Sequence, residues 1–148
     1  MTNNKTEVIE ALERLLADSY TLYLKTHSYH WNVTGPMFST LHTLFETEYT
    51  ELALAVDEIA ERIRALGAPA PGSYSQFIER AEVKEDTGVP SAIDMIAALV
   101  ADQETLTATA RKVVRAGEKA QDDASVDLGV RRIDVHEKAA WMLRSHLE

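Results

Sequence analysis

Apolar residues recur every three or four positions along most of the chain, and this spacing constrains the fold more than any other feature. In the first such stretch the apolar positions are Ile9, Leu12, Leu15, Leu16, Tyr20 and Tyr23. This is the pattern of a helix that buries one face. No segment alternates between apolar and polar residues as a half-buried strand does, so the sequence predicts an all-α protein.

Breaker residues divide the chain into four predicted helices, at about 5–32, 38–66, 91–116 and 122–147. Gly35 and Pro36 separate the first two helices, Gly67 ends the second, and Gly117 ends the third. The third helix starts at Ser91, whose hydroxyl is expected to cap the amide of Asp94. The long connection 67–90 is rich in Gly and Pro and carries one apolar insert, 74–81, which is predicted to form two helical turns.

Two short connections and one long crossover, joining four helices of about 25 residues, match a four-helix bundle. The ferritin-like arrangement, with its crossover between the second and third helices, is one such bundle. A chain of 148 residues is long enough for one domain with its own core, so we expect 1–148 to be a single domain. A bundle without any site remains an alternative, because a fold alone does not decide function.

The composition narrows the chemistry and the partners. The chain has no cysteine, which leaves only nitrogen and oxygen donors for a metal. Its net charge of −9 argues against polyanion binding as the main function, since nucleic-acid affinity comes largely from Lys and Arg. No apolar run reaches the ~18 residues of a membrane span, and the start lacks an apolar leader, so the expected location is the cytoplasm.

The second predicted helix carries four possible metal ligands. His42 and Glu46 lie one turn apart, and Asp57 and Glu61 lie one turn apart further along. At 100° per residue all four fall within about 100° of one another, on one broad face. The apolar positions of this helix are interleaved with them: Leu41, Phe45, Leu52 and Val56. We therefore expect these donors on the buried face, where a carboxylate needs a partner or a metal, although any one helical acid taken alone is usually solvated.

One chain cannot place all four donors on one ion. Fifteen residues separate His42 from Asp57, which corresponds to about 22 Å along the helix axis, whereas ligands of one ion lie about 4–5 Å apart. If two copies pack this helix against itself in antiparallel fashion, the His42 end of one meets the Asp57 end of the other. The spacing thus predicts two identical sites at a two-fold interface.

Histidines also gather on both sides of the predicted break at Gly35 and Pro36. His30 ends the first helix and His42 begins the second, so both imidazoles can point into one interface pocket. His27 lies one turn before His30 and is a candidate additional ligand or supporting residue. Imidazole and carboxylate donors suit Fe(II), Mn or Zn.

Three stretches together resemble the signature of the Dps family, the miniferritins named for DNA protection in starved bacteria. They are "HWNVTGPMFSTLH", "VDEIAERIRALG" and, near the end, "EKAAWMLRSHL". The resemblance implies a ferroxidase centre with His30, His42 and Glu46 from one chain and Asp57 and Glu61 from its partner. The family usually has Asp at position 46; the longer Glu46 implies looser coordination, bidentate or through water.

The resemblance further implies a hollow shell of twelve subunits built from two-fold dimers. Such shells oxidise Fe(II), preferably with hydrogen peroxide, at centres that hold two irons, and they store the ferric product. Trp31 resembles the family tryptophan near the centre, where it either quenches radicals or packs at the interface. DNA binding is expected to be weak or absent, because the family members that bind DNA use Lys-rich tails and this tail offers only Lys5.

The remaining acids and histidines leave alternatives open. Asp122, Asp123 and Asp127 align with the three-fold pore region of the family, but an acidic helix start explains the first two equally well. His136 and His146 are expected to be surface or packing residues. A nucleoid DNA-binding protein is one alternative function. An oxidase with its metal inside one bundle is another, for which the candidate ligands are Asp102, Glu104 and Glu137.

Overall fold

The computed structural model describes residues 2–148, and over this range it is helical with no strand. Its five α-helices are α1 (Thr2–Asn32), α2 (Phe38–Ala65), α3 (Tyr74–Arg80), α4 (Ala92–Ala120) and α5 (Asp123–Arg144), and a 3₁₀ turn follows at Ser145–Leu147. The four long helices form a bundle, and the short α3 lies in the crossover between α2 and α4. The predicted fold class is confirmed.

Apolar residues from all the long helices meet in one core. The largest fully buried side chains are Tyr29, Phe45, Leu12, Leu15, Leu22, Leu41, Leu52, Ile59, Ile63, Met95, Ile96 and Leu99. The three-and-four spacing found in the sequence is therefore the spacing of the buried face. Hydroxyl caps begin two of the helices: Ser91 accepts the amide of Asp94 at 3.2 Å, as predicted, and Ser73 accepts the amide of Gln76.

The predicted end of the third helix at Gly117 is wrong. This helix, α4, continues to Ala120 and ends at Gln121, whose positive φ of 55° provides the left-handed cap. Gly117 is buried inside α4 because α5 crosses there: a Cβ at this position would lie 2.8 Å from Val126 Cγ2. The glycine allows close helix packing and does not terminate the helix. The last helix also ends earlier than predicted, since 145–147 tighten into the 3₁₀ turn.

One buried carboxylate holds the crossover against the bundle. Asp18 of α1 accepts the amides of Glu82 and Val83 at 2.7 and 3.0 Å and the hydroxyl of Thr109 at 2.7 Å. Burial raises the pKa of Asp18, while these hydrogen bonds act in the opposite direction. The long connection therefore follows one path over α1.

None of the helices in residues 2–148 has the length and apolar character needed to cross a membrane.

Candidate metal centre

His30 and His42 meet across the turn between α1 and α2. Their rings stack with centroids 3.7 Å apart and an interplanar angle of 15°. Each Nδ1 lies against the backbone carbonyl of the other residue, at 2.6 Å for His30 and 2.7 Å for His42. The break at Gly35, where φ is +105°, turns the chain so that this reciprocal pair can form.

This pairing determines what each imidazole offers to a ligand. A carbonyl oxygen only accepts hydrogen bonds, so each Nδ1 must carry the proton and donate it. In a neutral ring with the proton on Nδ1, the lone pair lies on Nε2, which is the atom through which such a histidine binds a metal. Backbone carbonyl groups thus orient both imidazole rings.

Aromatic rings surround one side of the histidine pair. His27 stacks on Tyr49 at 4.2 Å and contacts Trp31 at 4.1 Å, and its ring centroid lies 6.1 Å from that of His30. Desolvation, followed by the charge of His30, lowers the pKa of His27. His27 therefore belongs to the wall of the site in one chain, and its ligand role stays a prediction. Trp31 is 59% exposed in the single chain.

The acids of α2 lie on its exposed side. Glu46, Asp57 and Glu61 are all exposed, whereas the apolar positions expected to share their face are buried or half-buried: Leu41, Phe45, Leu52 and Val56. The prediction that these donors share the buried face is therefore wrong. At 100° per residue the buried stripe and the acids fall on opposite sides of His42, which lies half-buried at the border. The outward face also presents Leu54, whose side chain is 73% exposed.

Within residues 2–148 no three His, Asp or Glu side chains come close enough together to hold a metal ion. Helix α2 runs unbroken from Phe38 to Ala65, so His42 and Asp57 stay about 22 Å apart along its axis. At the start of α2 one chain thus offers the paired imidazoles of His30 and His42, with Glu46 one turn after His42 on the outward face; we call this the histidine half-site. Further along the same outward face it offers a carboxylate half-site, made of Asp57 and Glu61.

The acidic start of α5 has a structural role at one of its positions. Asp122 caps the helix by accepting the Ser125 amide at 3.1 Å, and it pairs with Arg62 of α2 at 2.7 Å. These contacts lower the pKa of Asp122 against the opposing effect of desolvation. Asp123 is exposed, and Asp127 pairs with Arg131 at 2.9 Å. The pore role of the cluster remains a prediction.

The candidate ligands for a metal inside the bundle do not converge. Asp102 pairs with Lys25 at 2.9 Å, Glu104 is exposed and lies 3.5 Å from Arg144, and Glu137 is exposed. Burial raises the pKa of Asp102, and the hydrogen bond and charge of Lys25 oppose that shift. The geometry gives no support to this alternative.

The sequence did not predict the buried acid Glu48. Glu48 points into the bundle with both carboxylate oxygens unpartnered, and burial raises its pKa to about 8. His136 is buried, facing Gln103 at 2.6 Å and Arg132 at 3.1 Å, so its packing role is borne out and a surface position is excluded. Glu48 falls three positions after Phe45 and four before Leu52, a register that places it on the core face. His146 is half-buried near the end of the chain.

Comparison with known proteins identifies the class. A family model for the ferritin-like domain matches residues 9–148. A low temperature-induced protein of Nostoc sp. is 46% identical over 143 residues, covering 95% of this chain and 80% of that protein. DNA protection during starvation protein 2 of Bacillus anthracis is 37% identical over 141 residues, covering 95% of this chain and 97% of the relative.

A solved structure gives the same result. The crystal structure of a DPS protein from Vibrio cholerae O1, described as a member of a broad superfamily of ferritin-like diiron-carboxylate proteins, superposes with a TM-score of 0.94. It is 33% identical and covers 99% of this chain and 92% of that one. The class is thus that of ferritin-like proteins. Within it, the chain belongs to the Dps family.

Proposed function

We propose that this protein oxidises and stores iron in the cytoplasm, at ferroxidase centres that form where two copies meet. Hydrogen peroxide is the preferred oxidant, and the ferric product is stored in a shell of twelve subunits. The observation that carries the proposal is the histidine pair, whose two Nε2 atoms are free while the backbone holds both Nδ1 atoms. Membership of a family with ferritin-like relatives supports it.

The donor set suits the substrate. Two imidazole nitrogens and carboxylate oxygens, without thiolate, fit Fe(II), and they also fit Zn or Mn. Glu46 lies one turn after His42 on the same outward face, and the partner copy supplies Asp57 and Glu61. Because the carboxylate half-site is exposed in one chain, an antiparallel neighbour can bring it to the histidine half-site without any rearrangement of the bundle.

The chemistry requires two electrons for each peroxide. Two ferrous ions at one centre supply both, and two protons complete the reaction: H₂O₂ + 2 Fe²⁺ + 2 H⁺ gives 2 Fe³⁺ + 2 H₂O. Paired oxidation avoids the one-electron cleavage of peroxide that releases hydroxyl radical. Protection of the cell, including its DNA, then follows from the removal of iron and peroxide together, with no need for DNA binding.

Iron oxidation in subunit variants tests the centre. Fe(II) is titrated into the protein without oxygen, peroxide is added, and oxidation is followed by absorbance. The double variant His30→Ala with Asp57→Ala is expected to lose the fast phase, because both half-sites are removed. His146→Ala, which removes a histidine of the 3₁₀ turn after α5 that is not part of the pair, is the control and is expected to keep it. Fast oxidation in the double variant contradicts the proposed centre.

Mixed assemblies test whether the centre is shared. His30→Ala subunits and Asp57→Ala subunits are each expected to be slow alone. A dimer with one subunit of each kind has one centre carrying both changes and one centre carrying neither. Fast oxidation is therefore expected to return on mixing, at half the sites of each mixed dimer. No recovery in verified mixed dimers contradicts a shared centre.

A further inference from the structure

Four of the five tyrosines in the chain form one continuous row between α1, α2 and α3. Tyr49 lies 6.0 Å from Tyr23, Tyr23 lies 5.7 Å from Tyr20, and Tyr20 lies 6.5 Å from Tyr74, measured between ring centroids. These pairs are edge-on, with interplanar angles of 63° to 79°. Edge-on packing explains why the rings are stable neighbours, but it would serve equally well for phenylalanine.

The row starts at the histidine half-site. The Tyr49 ring lies edge-on to His30, with centroids 5.1 Å apart, and it stacks on His27 at 4.2 Å. His27 in turn contacts Trp31 at 4.1 Å. Two oxidisable residues, one phenol and one indole, therefore lie in ring contact with the wall of the histidine half-site.

The row ends at the carboxylate half-site. Tyr20 and Tyr74 line a cavity of about 550 Å³ together with Asp57. Because α1 and α2 are antiparallel neighbours, the steps from Tyr49 to Tyr20 run along α2 in the direction from His42 to Asp57. The tyrosines thus span the distance between the two half-sites of a single chain.

We propose that Tyr49, Tyr23 and Tyr20 relay single electrons between the two ferroxidase centres to which one chain contributes. This inference rests on the proposed function, because its two ends are different iron centres only in the antiparallel dimer. The relay matters when a centre holds a single ferrous ion. That ion supplies one electron to peroxide, and the second electron must come from elsewhere if hydroxyl radical is not to escape.

The relay supplies the second electron that peroxide needs when a centre holds one ferrous ion. The first ferrous ion gives one electron, the O–O bond breaks, and hydroxide and a hydroxyl-level oxidant result. Tyr49 supplies the second electron together with its phenolic proton, so the oxidant becomes water and Tyr49 becomes a neutral tyrosyl radical. Tyr23 reduces the Tyr49 radical and becomes a radical itself. Tyr20 then reduces the Tyr23 radical in the same way. The ferrous ion at the second centre supplies the last electron, and a proton from water restores the phenol.

A metal-free experiment tests the relay without iron. Azide radicals generated by pulse radiolysis oxidise tryptophan, and in a Trp141→Phe background Trp31 is the remaining tryptophan of the two in the chain. The indolyl radical is expected to convert to tyrosyl radical within the parent protein. Tyr49→Phe is expected to lose this conversion, and Tyr29→Phe, which removes the one tyrosine outside the row, is expected to keep it. Unchanged conversion in Tyr49→Phe, or none in the parent, overturns the relay.

A second experiment uses iron at one ferrous ion per centre. The parent and Tyr29→Phe are expected to oxidise two ferrous ions per peroxide, with little hydroxyl radical caught by a spin trap. Tyr23→Phe keeps a ring in the row but not an oxidisable phenol. It is expected to fall toward one ferrous ion per peroxide, with a tyrosyl radical persisting in freeze-quench paramagnetic resonance spectra. If Tyr23→Phe oxidises two ferrous ions per peroxide, as the parent does, and no tyrosyl radical persists, the relay is contradicted.

The two experiments separate the relay from the function on which it rests. A parent protein that transfers the radical but does not oxidise iron with peroxide overturns the proposed function. A parent that oxidises iron rapidly while Tyr23→Phe matches it in stoichiometry and radical yield overturns the relay alone.

Discussion

At the scale of single residues, the break between α1 and α2 fixes the orientation of His30 and His42. The turn at Gly35 brings the end of α1 beside the start of α2, and each imidazole then donates to the other residue's backbone carbonyl. Neither ring needs a side-chain partner to set its tautomer. The pair therefore has its orientation already in a single chain, in which the acids on the outward face of α2 are exposed to water.

Glu48 presents the opposite situation, a carboxyl group without a partner. Its side chain is 9% exposed, and neither oxygen has a hydrogen bond. Burial raises its pKa to about 8 from an ordinary value of 4.5. Between these pH values the folded state binds more protons than the unfolded state, so the free energy of unfolding falls as pH rises.

Replacing Glu48 by Gln is expected to remove most of this pH dependence. The parent is expected to lose about 3 kcal/mol of stability between pH 5 and pH 8 through this group, because one pKa unit corresponds to about 1.4 kcal/mol. Glu48→Gln is expected to equal or exceed the parent in stability at pH 8. Urea unfolding at both pH values and one protein concentration measures the effect.

The matched control is Glu118→Gln, which neutralises an exposed acid on α4. It is expected to follow the pH dependence of the parent. If Glu48→Gln does the same, the carboxyl group is ionised in the folded protein and has a partner there.

At the scale of elements, α4 and α5 approach each other through two glycines. A Cβ on Gly117 would lie 2.8 Å from Val126 Cγ2, and a Cβ on Gly129 would lie 2.8 Å from Val114 Cγ2 and 3.1 Å from the carbonyl oxygen of Ala110. These contacts are closer than packed carbon atoms tolerate. The separation of the two helices is therefore set by residues that have no side chain.

Gly129→Ala is expected to destabilise the protein although alanine favours helix formation. Overpacking costs about 1–3 kcal/mol, and the gain in helix propensity offsets about 1 kcal/mol of it. Gly72→Ala serves as the control, because a Cβ there meets nothing within 4 Å. Thermal unfolding of the three proteins is expected to place Gly129→Ala lowest. Equal midpoints for all three contradict the close approach of α4 and α5.

At the scale of the whole molecule, the separation of the half-sites makes assembly part of the proposed function. A chain of 16.5 kDa that forms a shell of twelve is expected to give particles of about 200 kDa. Light scattering coupled to size exclusion measures this mass. A monomer at the concentrations that support iron oxidation contradicts both the shell and the shared centre.

The charge of such a shell predicts its behaviour toward DNA. Twelve copies with a net charge of −9 carry roughly −108, which repels phosphate. Gel shifts over a salt series are expected to show weak binding or none. Tight binding that survives near-physiological salt favours a nucleoid-binding protein over an iron oxidase that protects DNA without touching it.

The sequence predicted the elements because periodicity and breakers are local properties. The spacing of apolar residues located all four long helices, and the Gly-rich crossover with its apolar insert located α3. Gly117 was wrongly predicted to end the third helix. In the sequence, a glycine that allows close helix packing looks the same as one that ends a helix, and only the position of the neighbouring helix distinguishes them. Glu48 was missed although its register places it on the core face, because an acid on a helix is usually solvated.

The sequence by itself also determined that one chain cannot complete the proposed centre, since helix rise alone separates His42 from Asp57. Tertiary structure decided which way the donors face. It placed Glu46, Asp57 and Glu61 outward and locked His30 against His42, because these outcomes depend on how α1 packs on α2 across the turn. Spacing along a helix follows from the backbone, whereas the exposure of a side chain follows from the surfaces that its neighbours cover.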